Sequence, residues 1–196
     1  GDWRVLAFVR LTMETFDYTS TEAIDFQKHL IDLYYNALDG DLDGILSDEP
    51  GTPTAYDYLT HRNGFNISER IFDSFRKQHR YDLRDELVKL IYDTSDGTAS
   101  KVRDQYYRAF GDGVYSFQKV LKDYARKRFG EKLKVGVHCT AGEWCSVDLQ
   151  RGSLDYWKMG ETVTDGYTDG KHHDRYNGFF HVILARSLAK LSESRT

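Results

Sequence analysis

The sequence predicts an α/β fold in which parallel strands alternate with helices. Four short runs are rich in apolar or β-branched residues, and these are the segments 3–13, 42–47, 133–138 and 162–165. Between them, apolar residues recur every three or four positions, which is typical of amphipathic helices. Strands and helices that alternate along a chain build parallel sheets, because each helix carries the chain back to the start of the next strand.

Four strands are too few to close the eight-stranded barrel that such alternation often builds. We therefore predict a parallel-stranded (β/α)-barrel type of fold, either a partial barrel of about four strands or a segment of a larger TIM barrel. No repeat or linker divides the sequence, so residues 1–196 are expected to be one catalytic-type domain or a fragment of a longer chain. The remainder of a barrel, or a second copy, is expected to cover the exposed sheet edges.

A capping box predicts the first helix, with Thr19 as its N-cap and Glu22 at its third position. Asp39-Gly40 is expected to end this helix. Its predicted inner face consists of apolar residues at helical spacing: Ala23, Phe26, Leu30, Leu33, Tyr34 and Ala37. Further helices are predicted over residues 67–79, 84–92, 99–129, 147–158 and 176–191, and the long one is expected to break at Gly111-Asp112-Gly113.

Composition excludes several classes of function. The net charge is -4 without a basic block, so no nucleic-acid partner is predicted. No run of about 18 apolar residues and no signal peptide are present, so no membrane partner is predicted and no compartment is assigned. The 14 Tyr, 11 Phe and 3 Trp belong largely to a core, although aromatic rings also suit the C–H faces of sugars.

A carboxylate pair, Asp48 and Glu49, directly follows the predicted strand 42–47. Acid/base residues of parallel α/β enzymes stand at such strand ends. Pro50 holds the residue before it in an extended conformation, and neighbours on an extended backbone point to opposite sides. We therefore predict that Glu49 is the reacting carboxyl group and that Asp48 supports it. The alternative is that the pair caps a helix or binds Arg62.

A second candidate site follows the predicted strand 133–138. His138, Glu143 and Trp144 form a combination that suits a polyol, although a buried histidine and a packed tryptophan explain these residues equally well. A phosphatase loop is excluded, because a cysteine stands six residues after Cys139 in place of the arginine that clamps phosphate. No metal is predicted here, since a zinc site would lack its fourth ligand.

A third candidate site begins where the predicted strand 162–165 ends. Asp165 is a candidate second carboxylate, and Tyr167 and Asp169 are candidate substrate contacts. An ordinary Asp/Gly turn explains the same residues. No cofactor is predicted, although aspartates here would also suit a divalent cation such as calcium.

These three sites are expected to converge, because the carboxyl ends of parallel strands share one edge of the sheet. Two carboxylates across a cleft with aromatic walls are the arrangement that cleaves glycosidic bonds. We therefore predict a carbohydrate-active hydrolase in which Glu49 is the general acid. Glu143 or Asp165 would be the base or nucleophile, and the substrate would be a carbohydrate.

Several stretches, taken in order, also carry a likeness to a known family. They are DYTSTEA at 17–23, LDGILSDEP at 42–50, FRK at 75–77, YDL at 81–83, VRDQYY at 102–107 and VGVH at 135–138. This order resembles the middle of large (β/α)8-barrel glycoside hydrolases of the α-L-rhamnosidase type. The resemblance implies a general acid after the fourth barrel strand, a role that would belong to Glu49, and it leaves Glu143 and Asp165 as competing second carboxylates.

Two alternatives to a glycoside hydrolase stay open at this point. The first is a non-catalytic carbohydrate-binding or pseudo-enzyme module, which would keep the aromatic wall without a second carboxylate near Glu49. The second is a metal-dependent hydrolase that uses a cluster of histidines and aspartates. Its ligands would come from His138, Asp165, Asp169, His172 and His173.

Overall fold

A computed structural model describes residues 7–8, 17–47, 65–139, 158, 165–168, 187 and 190 of this chain. The α-helices are α1 (Thr21–Ala37), α2 (Glu69–His79), α3 (Leu87–Ile91) and α4 (Ala99–Phe129), and a 3-10 helix spans Leu83–Glu86. The strands are β1 (Gly44–Ser47), β2 (Lys134–Cys139) and β3 (Asp165–Thr168). Within these described ranges, no helix is long and apolar enough to cross a membrane.

The three strands form one parallel sheet in the order β1-β2-β3. Ser47 of β1 lies beside Val137 of β2, and His138 of β2 lies beside Tyr167 of β3. The predicted segments 42–47 and 133–138 therefore do contain strands, and the chain that joins β1 to β2 includes α2, α3 and α4.

The predicted (β/α)-barrel type of fold is wrong for the part of the chain that the structure describes. That part is mostly helical, its sheet has three short strands, and no barrel is formed by it. The helix α4 alone has 31 residues, whereas the strands have 4, 6 and 4 residues. The prediction from apolar runs gave the sheet too large a part in the fold, because most of the buried side chains belong to helices that pack on one another.

Two predicted strands are misplaced or absent from what is described. The third strand of the sheet begins at Asp165, whereas the sequence predicted that a strand ends there. Ala7 and Phe8 belong to the predicted strand 3–13, and neither is in a strand; the rest of that segment lies outside the described residues. The predicted helices 147–158 and 176–191 also lie outside them, apart from Lys158, Ser187 and Lys190, which are helical.

The first helix starts one residue later than its capping box predicted. Ser20 is the N-cap, and its hydroxyl accepts a hydrogen bond from the backbone N–H of Ala23 at 3.2 Å. Thr19 instead donates from its backbone N–H to Asp17 Oδ1 at 2.9 Å, which closes the turn before the helix. The helix ends as predicted before Gly40, whose φ of 76° favours glycine.

The predicted inner face of α1 is wrong, because four of its six residues are exposed: Phe26, Leu33, Tyr34 and Ala37. Phe26 is 52% exposed, Leu33 is 49% exposed and Tyr34 is 57% exposed. The face that packs on α4 is rotated away from them and presents Ile31, which is 7% exposed, together with Asp32 and Tyr35. The surface of α1 that contacts α4 is therefore partly polar. A prediction from the spacing of apolar residues alone identifies a different face of the helix.

Polar contacts hold α1 against the last turns of α4. The Tyr124 hydroxyl donates to Asp32 Oδ2 at 2.7 Å, and Arg128 Nε lies 2.8 Å from Asp32 Oδ1. The Arg128 guanidinium also lies over the Tyr35 ring, 4.4 Å from its centroid. The first contact is a hydrogen bond and the second is an ion pair, and both favour the rotation of α1 that turns Asp32 toward α4.

The long helix α4 runs without a break through Gly111-Asp112-Gly113, so the predicted interruption is wrong. Gly113 has a packing reason to be glycine. A Cβ atom at this position would lie 2.8 Å from Thr19 Cγ2, which is closer than carbon atoms approach. Its missing side chain therefore lets the turn before α1 pack directly against α4, where Tyr18 meets Phe117 edge to face.

Two hydrophobic cores meet along α4. The larger joins α2, the 3-10 helix and the first half of α4, and its members are Ile71, Phe72, Phe75, Leu83, Val102, Tyr106, Ala109, Phe110 and Val114. The smaller joins the sheet to α1 and the second half of α4, and its members are Ile31, Ala125, Leu133 and Val135.

Tyr106, a member of the larger core, carries a buried hydroxyl group. Burial raises the pKa of this hydroxyl, so it stays neutral and donates a hydrogen bond to the Asn66 carbonyl at 2.5 Å.

We expect Phe75→Ala to lower the free energy of unfolding by about 3–5 kcal/mol, because it empties a fully buried site. Phe26→Ala removes the same atoms from an exposed site and should change it by no more than about 0.5 kcal/mol. Urea denaturation of both variants measures the difference. Equal losses would show that α1 buries Phe26 in solution.

We expect Gly113→Ala to lower the free energy of unfolding by about 1 kcal/mol, although alanine is the better helix former by about that amount. The added methyl group would collide with Thr19 Cγ2, so Thr19→Ser in the same chain should restore stability. Urea denaturation of the single and double variants measures this coupling. A stabilising Gly113→Ala substitution would contradict the close approach of Thr19.

Candidate functional site

The ends of the three strands lie on one edge of the sheet. β1 ends at Ser47, β2 at Cys139 and β3 at Thr168, and all three strands run parallel. The chain therefore leaves all three strands at the same edge, which we call the carboxyl edge. Ligands of parallel sheets bind at this position, because the segments that follow each strand meet there.

Three of the predicted site residues lie within the described strands. His138 is the penultimate residue of β2 and lies beside Tyr167, the penultimate residue of β3. The sheet thus brings these two backbones together next to the carboxyl edge. Asp165 begins β3 beside Gly136, three residues before the strand ends. At about 3.3 Å per residue, the Asp165 backbone lies roughly 10 Å from that edge.

The remaining predicted site residues lie outside the described residues and stay predictions. They are Asp48, Glu49, Glu143, Trp144 and Asp169. Their sequence positions relative to the strands are nevertheless defined. Glu49 stands two residues after the end of β1, Glu143 four residues after the end of β2, and Asp169 directly after the end of β3.

A buried glutamine beside the end of β1 was not predicted from the sequence. Gln118 of α4 is 3% exposed, and its Oε1 accepts a hydrogen bond from the Ser47 hydroxyl at 3.2 Å. It stands four residues after Val114 and seven before Ala125, which are both buried. This spacing places Gln118 on the apolar stripe of the helix, and a polar residue within such a stripe is the signal that could have identified it.

The contact reaches the sheet because β1 turns alternate residues toward α4. Ile45 packs against the smaller core, and Ser47 lies two residues further on the same face of the strand. Leu46 lies on the opposite face and is 54% exposed. The helix layer thus covers one face of β1 as far as its last residue, and the hydrogen bond between Ser47 and Gln118 completes that contact.

The metal alternative gains no support from the part of the chain that can be examined. Among the described residues, no three His, Cys, Asp or Glu side chains gather in a way that could hold a metal ion. Asp169, His172 and His173 belong to the predicted cluster and lie outside those residues, so this part of the prediction is untested.

The sequence matches no protein-family model and no curated protein. The fold is similar to part of the crystal structure of a β-galactosidase from the psychrophilic Marinomonas ef1, with a TM-score of 0.58 and 12% sequence identity. The match covers 89% of this chain, and this chain spans 31% of the length of the β-galactosidase chain. At this identity the similarity concerns the fold alone.

We expect Ser47→Ala to lower the free energy of unfolding by about 1–3 kcal/mol, because it leaves a buried oxygen of Gln118 without its partner. Gln118→Met should cost less, since water can reach the half-buried Ser47 hydroxyl. The double variant should cost about 1 kcal/mol less than the sum of the two single variants. Additive losses in urea denaturation would show that the two side chains do not interact.

Proposed function

We propose that this chain supplies the acid/base site of a glycoside hydrolase, with a carbohydrate as its substrate. The observation that carries the proposal is the common edge at which β1, β2 and β3 end. Carboxylates follow all three exits in the sequence, and acid/base groups of parallel α/β enzymes stand at such exits. The fold similarity to a β-galactosidase, at 12% identity, supports the same class of reaction.

In the proposed reaction, the protonated carboxyl group of Glu49 donates its proton to the glycosidic oxygen as the bond to the anomeric carbon breaks. A second carboxylate either attacks the anomeric carbon or takes a proton from the attacking water. We prefer Glu143 to Asp165 for this role, because in the sequence Glu143 follows the end of a strand, whereas Asp165 begins β3. Asp48 would orient Glu49.

Other residues near the carboxyl edge are proposed to bind the sugar. His138 and Tyr167 are register neighbours one residue before their strands end, so both belong to the same stretch of the edge. Trp144 and Asp169 follow the same two strands in the sequence. An imidazole, a phenol, an indole and a carboxylate provide both hydrogen-bonding groups and rings for the apolar face of a sugar.

The first substrates to test follow from the two similarities. p-Nitrophenyl β-galactoside corresponds to the activity in the name of the matched structure, and p-nitrophenyl α-L-rhamnoside corresponds to the sequence resemblance. Binding of the parent sugars without release of nitrophenol would instead support the non-catalytic carbohydrate-binding module.

We expect Glu49→Gln to lower kcat on a cleaved glycoside by about 10²–10⁴-fold, because the amide cannot donate the proton that the leaving oxygen needs. The fall of kcat at high pH that reports a general acid should also disappear. Glu131→Gln, at an exposed glutamate beyond the end of α4, is the matched control and should keep wild-type turnover. Undiminished turnover by Glu49→Gln would show that Glu49 is not the general acid.

A further inference from the structure

We infer that Gln118 is a positioning residue for the acid/base site, because it holds the end of β1 from which Glu49 follows. The inference rests on the proposed function for its kinetic consequence. Gln118 is not assigned any contact with a substrate. Its proposed role acts through Ser47, the last residue of β1 and two residues before Glu49.

The contact spans two distant parts of the chain. Ser47 and Gln118 are 71 residues apart in sequence, and their hydrogen bond joins the end of a strand to the middle of α4. Gln118 is the one buried polar or charged residue among those whose burial the structure describes. A hydrogen bond has a preferred direction, so it restricts the Ser47 side chain and the backbone that carries it more narrowly than apolar packing would.

A purely structural residue at this position would be expected to be apolar. Val114 and Ala125 occupy the same stripe of α4 and are 1% and 2% exposed. Burying an amide without a partner costs free energy, and even a satisfied hydrogen bond contributes only about 0.5–1.5 kcal/mol net. A methionine of similar length would bury more apolar surface, and it has no amide that could be left without a hydrogen-bond partner. The Gln118 amide therefore stabilises the fold no more than an apolar side chain at this position would. Unlike an apolar side chain, however, it defines one position for the end of β1.

The position of the end of β1 matters for the proposed chemistry, because the chain continues from it to Glu49. A displacement of about 1 Å in a reacting group can cost 10²-fold in rate, even when its cause lies outside the site. Loosening Ser47 would widen the range of directions in which the chain leaves β1. The expected consequence is a loss of kcat with little change in KM, because the substrate contacts proposed on β2 and β3 remain.

The test uses Gln118→Met, which keeps the length of the side chain and removes the hydrogen-bond acceptor. We expect kcat to fall by about 10–100-fold, with KM within about 2-fold of wild type. Ser47→Ala should do the same, the double variant should be no worse than either, and Ser47→Thr should keep activity because it keeps the hydroxyl. Val114→Ala is the control, since it empties a buried site one turn away in the larger core.

Equal kcat values for Gln118→Met and Val114→Ala, after correction for the folded fraction, would overturn the inference. A second measurement does not depend on turnover. Amide hydrogen exchange in the peptide 44–50 should rise in Gln118→Met relative to the peptide 133–139, and it should not do so in Val114→Ala. If wild type cleaves no glycoside, the proposed function fails, and unchanged exchange in 44–50 would separately overturn the positioning role.

Discussion

Burial of one face of the 31-residue helix α4 is the interaction on which the rest of the described structure depends. The first half of this helix completes the larger core with α2 and the 3-10 helix, and Val114 is its innermost contribution. The second half completes the smaller core beneath the sheet through Ala125. Because removal of apolar surface from water drives folding, the helices and the sheet are held together mainly through their shared contact with α4.

Polar contacts determine direction where apolar packing alone would leave several arrangements. Asp32 accepts a hydrogen bond from Tyr124 and forms an ion pair with Arg128, and both contacts favour the face of α1 that meets α4. Ser47 and Gln118 perform the same task between the sheet and α4. Each interaction contributes little net free energy, but an unpaired alternative would be costly, so each selects one arrangement. Gly113 then allows the close approach on which the turn before α1 depends.

The arrangement of the strands connects this packing to chemistry. Since β1 and β3 both pair with β2 in parallel, residues far apart in the sequence leave the sheet at a single edge. The smaller core supports the first residues of β1 and β2 from the helix side, and the hydrogen bond between Ser47 and Gln118 extends this contact to the end of β1. The similarity to part of a β-galactosidase concerns this same combination of helices and sheet. Acid/base cleavage of a glycosidic bond, which we propose for this chain, needs its carboxyl groups held in a defined geometry.

The sequence by itself determined the local elements: the long helix over 99–129 matches α4 in both bounds, and the segments 42–47 and 133–138 contain β1 and β2. Helical periodicity and turn residues are local signals, so they can be recognised without tertiary information.

Only the tertiary structure decided the inner face of α1, the continuity of α4 through Gly113, the start of β3 at Asp165 and the absence of a barrel among the described residues. The features with an identified partner depend on residues distant in sequence: the inner face of α1 on Arg128, which pairs with Asp32, and the start of β3 on β2, where Asp165 lies beside Gly136. Of the candidate site, the sequence predicted that polar segments follow the strands, whereas the buried amide beside β1 was revealed only by the fold, which brings together two residues 71 positions apart in the sequence.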